Sequence, residues 1–306
     1  MPNSTQPNVA VVIPCYQEAV TIAKVVADFR RELPDAKIYV YDNNCTDGTA
    51  EIAAKAGAIV RREKRQGKGY VVAAMFEQIT EDILVMVDGD DTYEASHVHE
   101  LLKPVLRGDA DMTIATRLTS HGEKSFRPLH VAGNQMVCGI INWMFKSHVS
   151  DIFSGYRVFT RESARQIPVT TKGFDVETEL TLQALYRGQV IQEMPAPYRA
   201  RPEGSFSKLN TFSDGFRVLL RLFLIVKSYK PLTFFGSIAL ILFALGLAAG
   251  ALPIYEFVTE HFVHRVPSAI LAASLVMLSC FSLGLGLILN SMNLRLLEIE
   301  QLISKR

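Results

Sequence analysis

The stretch that decides the fold is Ile83-Leu84-Val85-Met86-Val87-Asp88-Gly89-Asp90-Asp91. Its five apolar residues predict a buried strand, and they lead directly into a turn that carries three carboxylates. Carboxylates so close together repel one another, and burying them without a counter-charge is unfavourable. A divalent cation such as Mg²⁺ relieves this repulsion, because it binds one or two carboxylates together with phosphate oxygens. An acidic turn exposed to water would have the same residues, so this stretch alone leaves both interpretations open.

The segments around this stretch alternate between strands and helices. Strands are predicted at 9–13, 37–41, 58–60 and 83–87, and helices at 18–31, 49–56, 67–79 and 96–106. This alternation predicts an α/β fold with a mostly parallel sheet that is covered on both faces. Ligands of such sheets bind at the carboxyl ends of the strands, where Asp42 and Asp88 are both predicted to lie. The metal interpretation of the acidic turn is therefore favoured.

The composition separates an ordinary globular part from a strongly apolar part. The 306 residues include 32 Lys and Arg against 31 Asp and Glu, so no basic excess indicates nucleic-acid binding. The mean hydropathy is +0.17 although 21% of the residues are charged, which indicates that the apolar residues are concentrated in one region. The four cysteines lack metal-ligand spacing and predict a reducing, cytosolic environment. Residues 1–8 show no cleavable signal peptide.

The sequence contains no glycine-rich phosphate loop. Neither Gly-x-Gly-x-x-Gly nor Gly-x4-Gly-Lys-Ser/Thr occurs in it. A bound nucleotide would therefore be held by side chains and a metal ion. Lys68, at the start of a predicted helix, is a candidate for this binding, with an exposed surface lysine as the alternative.

Three motifs, in their order and separation, resemble those of family 2 glycosyltransferases. Val11 to Glu18 resembles the opening strand with Pro-x-Tyr-Asn-Glu, Asp42 to Thr49 the Asp-Asp-x-Ser-x-Asp-Gly-Thr turn, and Asp88-Gly89-Asp90 the Asp-x-Asp metal motif. The resemblance implies a GT-A-type nucleotide-sugar-binding domain over residues 1–210. It also implies that Pro14, Tyr16, Glu18 and Asp42 bind the nucleobase and ribose, and that Asp88 and Asp90 bind Mg²⁺ or Mn²⁺ on the donor diphosphate. The sequence departs from the family pattern at Gln17, Asn43 and Cys45.

The second half resembles one branch of the family, the polyprenyl-phosphate glycosyltransferases of the dolichol-phosphate mannose synthase group. The motifs are Ala115-Thr116-Arg117, Ser154 to Phe159, and Arg199 to Leu209. The resemblance implies that Arg117, Arg157, Arg201 and Lys208 bind the acceptor phosphate and the donor diphosphate. Arginine suits this role because its planar guanidinium can bind phosphate with two parallel hydrogen bonds.

The acidic cluster 175–179 contains Glu177 and Glu179, which resemble acidic residues that precede a helix in the family. Either a catalytic base or compensation of the helix dipole explains them. A lipid monophosphate is largely ionised at pH 7, since its second pKa is about 6, so the need for a base is weak. Catalysis is therefore assigned mainly to the metal and to arginine, with Asp90, Arg117, Arg157 and Glu177 as the catalytic candidates.

The C-terminal region is predicted to anchor the chain in a membrane. Residues 231–255 and 266–294 contain no charged residue, and a span needs roughly 20 apolar residues. We predict spans at 231–255 and 266–292, an outer loop at 256–265, a basic amphipathic interfacial helix at 211–230 and a tail helix at 293–306. The Lys/Arg residues that flank both spans predict that the catalytic domain and both termini are cytoplasmic, at the plasma (inner) membrane. The apolar stretch 137–145 predicts either a second interfacial helix or a core helix, and the Leu/Ile spacing of the tail would permit a homo-oligomer.

Together these features predict an inverting transfer of one hexose to a polyprenyl phosphate, either undecaprenyl or dolichyl phosphate. The donor would be a nucleotide diphosphate sugar of the UDP-glucose or GDP-mannose type. Two alternatives stay open: a glycosyltransferase with another lipid or protein acceptor, and a non-catalytic membrane scaffold that binds nucleotide sugars. The sugar, the base and the polyprenol length are not determined by the sequence.

Overall fold

The computed structural model describes residues 7–117, 128–171, 176–199, 201–202, 223–224 and 226–304. The chain divides into two compact units, Met1–Leu209 and Asn210–Arg306. Each unit is described by itself below.

The first unit is built on a seven-stranded sheet. Its strands are β1 (Val9–Cys15), β2 (Lys37–Asp42), β3 (Ile59–Arg62), β4 (Ile83–Met86), β5 (Met112–Thr116), β6 (Arg157–Thr160) and β7 (Ile191–Pro195), in the order β3-β2-β1-β4-β6-β5-β7. Only β6 is antiparallel to its neighbours among these strands. The predicted α/β fold with a mostly parallel sheet is confirmed.

The helices of this unit follow the predicted alternation with shifted ends. They are α1 (Ile22–Glu32), α2 (Thr49–Lys55), α3 (Lys68–Gln78), α4 (Val98–Arg107), α5 (Pro128–Phe145), α6 (Arg161–Gln166) and α7 (Val176–Tyr186), with a 3₁₀ turn at Ala95–His97. The first helix was expected at residue 18 but begins at Ile22. The reason is that the backbone N–H of Glu18 donates to Thr49 Oγ1 at 2.9 Å, which holds residue 18 in the preceding loop.

Both faces of the central strands are buried, which explains their continuous apolar sequence. On β1, Val11 and Ile13 pack into one core with α1, whereas Ala10 and Val12 pack into the other with α3. Strand β4 divides its residues between the same two cores.

The antiparallel direction of β6 brings its beginning to the carboxyl edge of the sheet. Arg157, its first residue, pairs with Met86 near the end of β4 and with Ile114 on β5. The loop 151–156 therefore reaches the edge where β4 opens into the acidic turn. Alternation of strands and helices did not predict this strand or its direction.

The apolar stretch 137–145 forms the second half of α5. Val137, Cys138, Ile141 and Met144 are buried, which agrees with the interpretation of a core helix for this face. Trp143 on the opposite face is 68% exposed.

The second unit contains two long apolar helices, α8 (Pro231–Glu260) and α9 (Val266–Ser304). Pro231–Glu260 and Val266–Ile299 are long and apolar enough to cross a membrane, since each contains an 18-residue stretch with a mean hydropathy of 2.3 or 2.2, respectively. The helices contact each other closely, and Ser279 Oγ donates to the Ala239 carbonyl at 2.8 Å. The predicted spans end at 255 and 292, whereas α8 extends to Glu260 and α9 continues without a break to Ser304, within the predicted tail helix. Most of the predicted interfacial helix 211–230 lies outside the described residues.

Candidate active site

The acidic turn and the end of β2 lie on the same edge of the sheet. Strand β1 separates β2 from β4, and Cys15 pairs with Asp42 in register. The backbone of Gly89 lies against β1, since a Cβ atom there would be 2.8 Å from Cys15 Sγ. The Thr21 hydroxyl donates to the Gly89 carbonyl at 2.6 Å. The structure therefore places Asp42, Asp88 and the Pro14–Glu18 segment at one edge of the sheet.

Lys68 lies between two carboxylates from different elements. Its Nζ atom is 2.5 Å from Asp88 Oδ1, and it also donates to Glu177 Oε1. Lys68 is the first residue of α3, and Glu177 lies in the first turn of α7. Burial alone would lower the pKa of Lys68, but Asp88 and Glu177 outweigh it and raise that pKa above its usual range. Lys68 is thus a buried, charged part of the site and not an exposed surface lysine.

Asp90 is almost fully buried and has two side-chain partners. Its Oδ1 atom accepts a hydrogen bond from the Thr92 hydroxyl at 2.6 Å, and its Oδ2 atom lies 2.8 Å from an Arg201 nitrogen. Asp91 has a different partner. It adopts a positive φ of 57° and pairs with Lys24 on α1 at 2.7 Å, outside the Asp88–Asp90 cluster.

The segment that carries Arg201 runs along the acidic turn. Tyr198 forms an antiparallel bridge with Tyr93, and the backbone N–H of Arg199 donates to the Thr92 carbonyl at 2.8 Å. These contacts explain how a residue more than one hundred positions away reaches Asp90.

Gly155 lies against the carboxylate of Asp88. A Cβ atom at this position would be 2.8 Å from the Asp88 carboxyl carbon. The Tyr93 hydroxyl accepts a hydrogen bond from the Gly155 N–H at 3.0 Å and lies 3.2 Å from the Ser154 hydroxyl. Tyr93 and the close approach of Gly155 to Asp88 were not predicted from the sequence, and only the glycine had a signal there, in the Ser-Gly-Tyr-Arg motif.

Arg117 forms a two-pronged ion pair with Asp151. Its Nε atom donates to Asp151 Oδ2 at 2.8 Å and its Nη2 atom to Oδ1 at 2.9 Å. The guanidinium also lies over the Tyr198 ring, 5.4 Å from its centroid. Asp151 is fully buried and was not predicted, because nothing in its local sequence marks it as the partner of a residue 34 positions earlier.

The structure corrects the role assigned to Arg157. Its side chain is fully buried, and its nitrogens donate to the carbonyls of Ser154 and Ile152 and to the Thr181 hydroxyl. Burial lowers its pKa to about 10, which leaves it charged at pH 7. Because its guanidinium is buried in the core and hydrogen-bonded to these groups, Arg157 does not reach a phosphate. Arg157 instead holds the loop 152–154 and the first turns of α7.

The three departures from the family pattern form a connected hydrogen-bond group. The Gln17 N–H donates to Cys45 Sγ at 3.2 Å, and Gln17 Nε2 donates to Thr46 Oγ1 at 2.8 Å. Asn43 binds the loop before α3, because its Oδ1 accepts from the Gly67 N–H at 2.8 Å. Asp42 Oδ1 accepts from the Cys45 N–H at 3.0 Å, which closes the turn. These residues shape the turn at the end of β2 and the approach to Lys68.

The remaining candidates are Pro14, Tyr16, Glu179 and Lys208. Glu179 accepts hydrogen bonds from the backbone and side chains of Thr170 and Thr171, so it anchors a loop. Tyr16 is 37% exposed and Pro14 is half-buried at the end of β1. Lys208 lies outside the described residues.

The acidic turn fits a divalent cation by the chemistry of its oxygens. Within the described ranges, no group of three or more His, Cys, Asp or Glu side chains is arranged to hold a metal. Asp88 and Asp90 supply two carboxylates, which matches the way Mg²⁺ is held when substrate phosphates provide further ligands. In the structure these carboxylates are paired with Lys68 and Arg201.

Several known proteins are similar to this chain in sequence. Glycosyltransferase AglJ of Haloferax volcanii is 34% identical over 298 residues, which cover 96% of this chain and 98% of that protein. The dolichyl-phosphate hexose transferase of the same organism is 31% identical over 70% of this chain and 92% of its own length. The undecaprenyl-phosphate mannosyltransferase of Micrococcus luteus is 25% identical over 64% of this chain and 85% of its own.

A solved structure shares the fold. Glucosyl-3-phosphoglycerate synthase from Mycobacterium tuberculosis, in complex with Mg²⁺ and uridine diphosphate, superposes with a TM-score of 0.56 at 24% identity. The match covers 71% of this chain and 79% of that one. Another structure of that protein contains Mn²⁺. The sequence profile of Glycosyl transferase family 2 matches residues 10–167, just over half of the chain. The chain therefore belongs to glycosyltransferase family 2 and is a hexosyltransferase, as its sequence predicted.

Proposed function

We propose that this hexosyltransferase moves a single hexose, with inversion, from a nucleotide diphosphate sugar to a polyprenyl phosphate. The observation that carries the proposal is the pairing of the Asp88 and Asp90 carboxylates with Lys68 and Arg201 at the carboxyl edge of the sheet. Such a site offers carboxylates for a metal-bound diphosphate and cations for phosphate oxygens. The names of the Haloferax volcanii and Micrococcus luteus relatives support a dolichyl or undecaprenyl phosphate acceptor.

In this proposal the ends of β1 and β2 bind the nucleoside of a UDP-glucose or GDP-mannose type donor. The residues are Pro14, Tyr16, Glu18 and Asp42. Asp88 and Asp90 hold Mg²⁺ or Mn²⁺, which neutralises charge on the leaving diphosphate when it is bound. Lys68 reaches the same diphosphate from the start of α3.

Arg117, Arg201 and Lys208 bind the acceptor phosphate and align it with the anomeric carbon. The acceptor needs no proton removal at pH 7, because its second pKa is about 6. The fixed ion pair with Asp151 suits Arg117 to this task, since it keeps the guanidinium plane in one orientation.

The two long apolar helices support membrane anchoring beside a lipid acceptor. We place the spans within 231–255 and 266–292, with the outer loop at 256–265. The catalytic unit and both termini lie on the cytoplasmic side of the plasma membrane, because Lys and Arg flank both spans.

A donor and acceptor screen tests the proposal. Full-length protein in detergent is incubated with radiolabelled UDP-hexoses and GDP-hexoses, each with undecaprenyl phosphate, dolichyl phosphate or a peptide mixture. We expect one labelled, singly glycosylated polyprenyl phosphate, with inverted anomeric configuration by NMR. Label on a peptide, or on a lipid without phosphate, would show that the acceptor is not a polyprenyl phosphate. Tight donor binding without transfer to any acceptor would favour the scaffold alternative.

A further inference from the structure

Glu177 makes a contact that neither a catalytic base nor a helix-start charge requires. Its Oε1 atom accepts from Lys68 Nζ, which at the same time donates to Asp88 Oδ1. The side chains of Lys68 and Glu177 are only 12% and 7% exposed, so water screens their charges weakly.

The geometry points to Glu177 as the positioning residue that keeps the Lys68 ammonium in place when a divalent cation binds at Asp88. The inference rests on the proposed function, in which Asp88 is a metal ligand. It assigns Glu177 a role through Lys68, without contact to the reacting atoms.

The charges around Lys68 account for this role of Glu177. Among the described residues, the ionic partners of Lys68 are Asp88 and Glu177 alone. A dication at Asp88 competes with Lys68 for the same carboxylate and repels its ammonium. With Glu177 present, Lys68 keeps one full counter-charge. With Glu177 neutralised, the same site must hold a buried ammonium and a dication that share one carboxylate, which is unfavourable.

Hydrogen bonds in the first turns of α7 fix the backbone at Glu177. The Thr181 hydroxyl donates to the Glu177 carbonyl at 3.1 Å, and the buried Arg157 donates to that hydroxyl oxygen at 2.8 Å. Glu179, in the same turn, is bound by Thr170 and Thr171 instead. The two glutamates therefore share the first turn of α7 but have different partners, so Glu179→Gln is a matched control for loss of a helix-start charge.

Mn²⁺ binding to the full-length chain tests the inference, with free Mn²⁺ measured by EPR first without nucleotide and then with a fixed amount of UDP or GDP, against a protein-free control of the same nucleotide. We expect Glu177→Gln to weaken Mn²⁺ affinity about tenfold and Glu179→Gln to change it less than about threefold. Glu177→Asp keeps the charge and is expected to stay within about threefold of the wild type. Thermal unfolding of each metal-free variant confirms that it is folded.

A double-mutant cycle shows whether the effect passes through Lys68. In a Lys68→Met background, Glu177→Gln should weaken Mn²⁺ affinity clearly less than in the wild-type background, because no ammonium remains to be held. An equal loss in both backgrounds would overturn the inference. The inference would also be overturned if Glu177→Gln kept the Mn²⁺ affinity of the wild type but had a lowered kcat. That result is expected if Glu177 is a catalytic base. A wild-type chain that binds no Mn²⁺ even with UDP or GDP present would instead contradict the metal site of the proposed function.

Discussion

The backbone of Gly155 lies directly against the carboxylate of Asp88, at a distance that leaves no room for a side chain on residue 155. Two segments far apart in sequence thus define the acidic site together. The Tyr93 hydroxyl accepts a hydrogen bond from the Gly155 N–H and so helps to hold residue 155 in this position.

Gly155→Ala is expected to displace the Asp88 carboxylate, because the added methyl would overlap its carbon atom. We expect transfer activity to fall at least about tenfold and stability to fall by about 1–3 kcal/mol, as for other overpacked sites. Radiolabelled transfer and chemical denaturation measure the two effects. Gly139→Ala is the control, since a Cβ atom at residue 139 of α5 meets nothing within 4 Å. Equal activity in both variants would show that Asp88 does not need this contact.

Asp90→Asn is expected to abolish transfer, with a loss of at least about a hundredfold, because it removes a proposed metal carboxylate and the counter-charge of Arg201. Asp91→Asn is the neighbouring control. Asn tolerates the positive φ of residue 91, and the change removes only the ion pair with Lys24. We expect this control to keep most of its activity in the same assay. Full activity of Asp90→Asn would refute the metal assignment.

Asp151→Ala is expected to destabilise the catalytic unit by about 3–5 kcal/mol, because it removes the fully buried carboxylate that pairs with the Arg117 guanidinium. It also removes the acceptor of the Arg117 and Phe153 backbone N–H groups. Denaturant unfolding of the full chain measures the loss. Glu100→Ala removes an exposed ion pair with Lys103 and should leave the unfolding midpoint unchanged. A midpoint for Asp151→Ala equal to that of this control would contradict the argument.

Cys45 is expected to be unreactive toward iodoacetamide. Burial, with a further contribution from Asp42, raises the pKa of its thiol to about 11. A raised pKa means less thiolate, so at pH 8 only about 0.1% of this thiol is ionised, compared with about a quarter of an unperturbed cysteine. Mass spectrometry of the folded and the urea-unfolded chain at pH 8 compares the rates. Labelling as fast in the folded chain as in the unfolded one would show that the thiol is not buried.

Gly246→Val is expected to weaken the contact between α8 and α9. A Cβ atom at residue 246 would lie 2.9 Å from a Val276 methyl carbon and 3.3 Å from the Ala272 carbonyl oxygen. We expect a loss of about 1–3 kcal/mol, measured by thermal unfolding in detergent. Gly236→Val in the same helix is the control, because a Cβ atom there meets nothing within 4 Å. The same midpoint for both variants would mean that the helices do not depend on this close approach.

Some features followed from local sequence alone. The run Ile83–Val87 is apolar throughout because β4 is buried on both faces, and the acidic residues after it could only mark the end of a strand. The alternation of strands and helices, the family motifs and the two long apolar helices depend on nearby residues as well. These were predictable, because hydrophobic period and turn chemistry are local properties.

Other features depended on which segments meet. Asp151 becomes the partner of Arg117, and Glu177 that of Lys68, only because the chain returns to the same sheet edge. Arg157 carries the same charge in the sequence as Arg117, yet the antiparallel β6 between β4 and β5 buries it. The sequence by itself determined the residue types of the site and the strand ends that carry them. Only the tertiary structure decided which charges face each other, because ion pairing and burial depend on distances that are not encoded in the spacing along the chain.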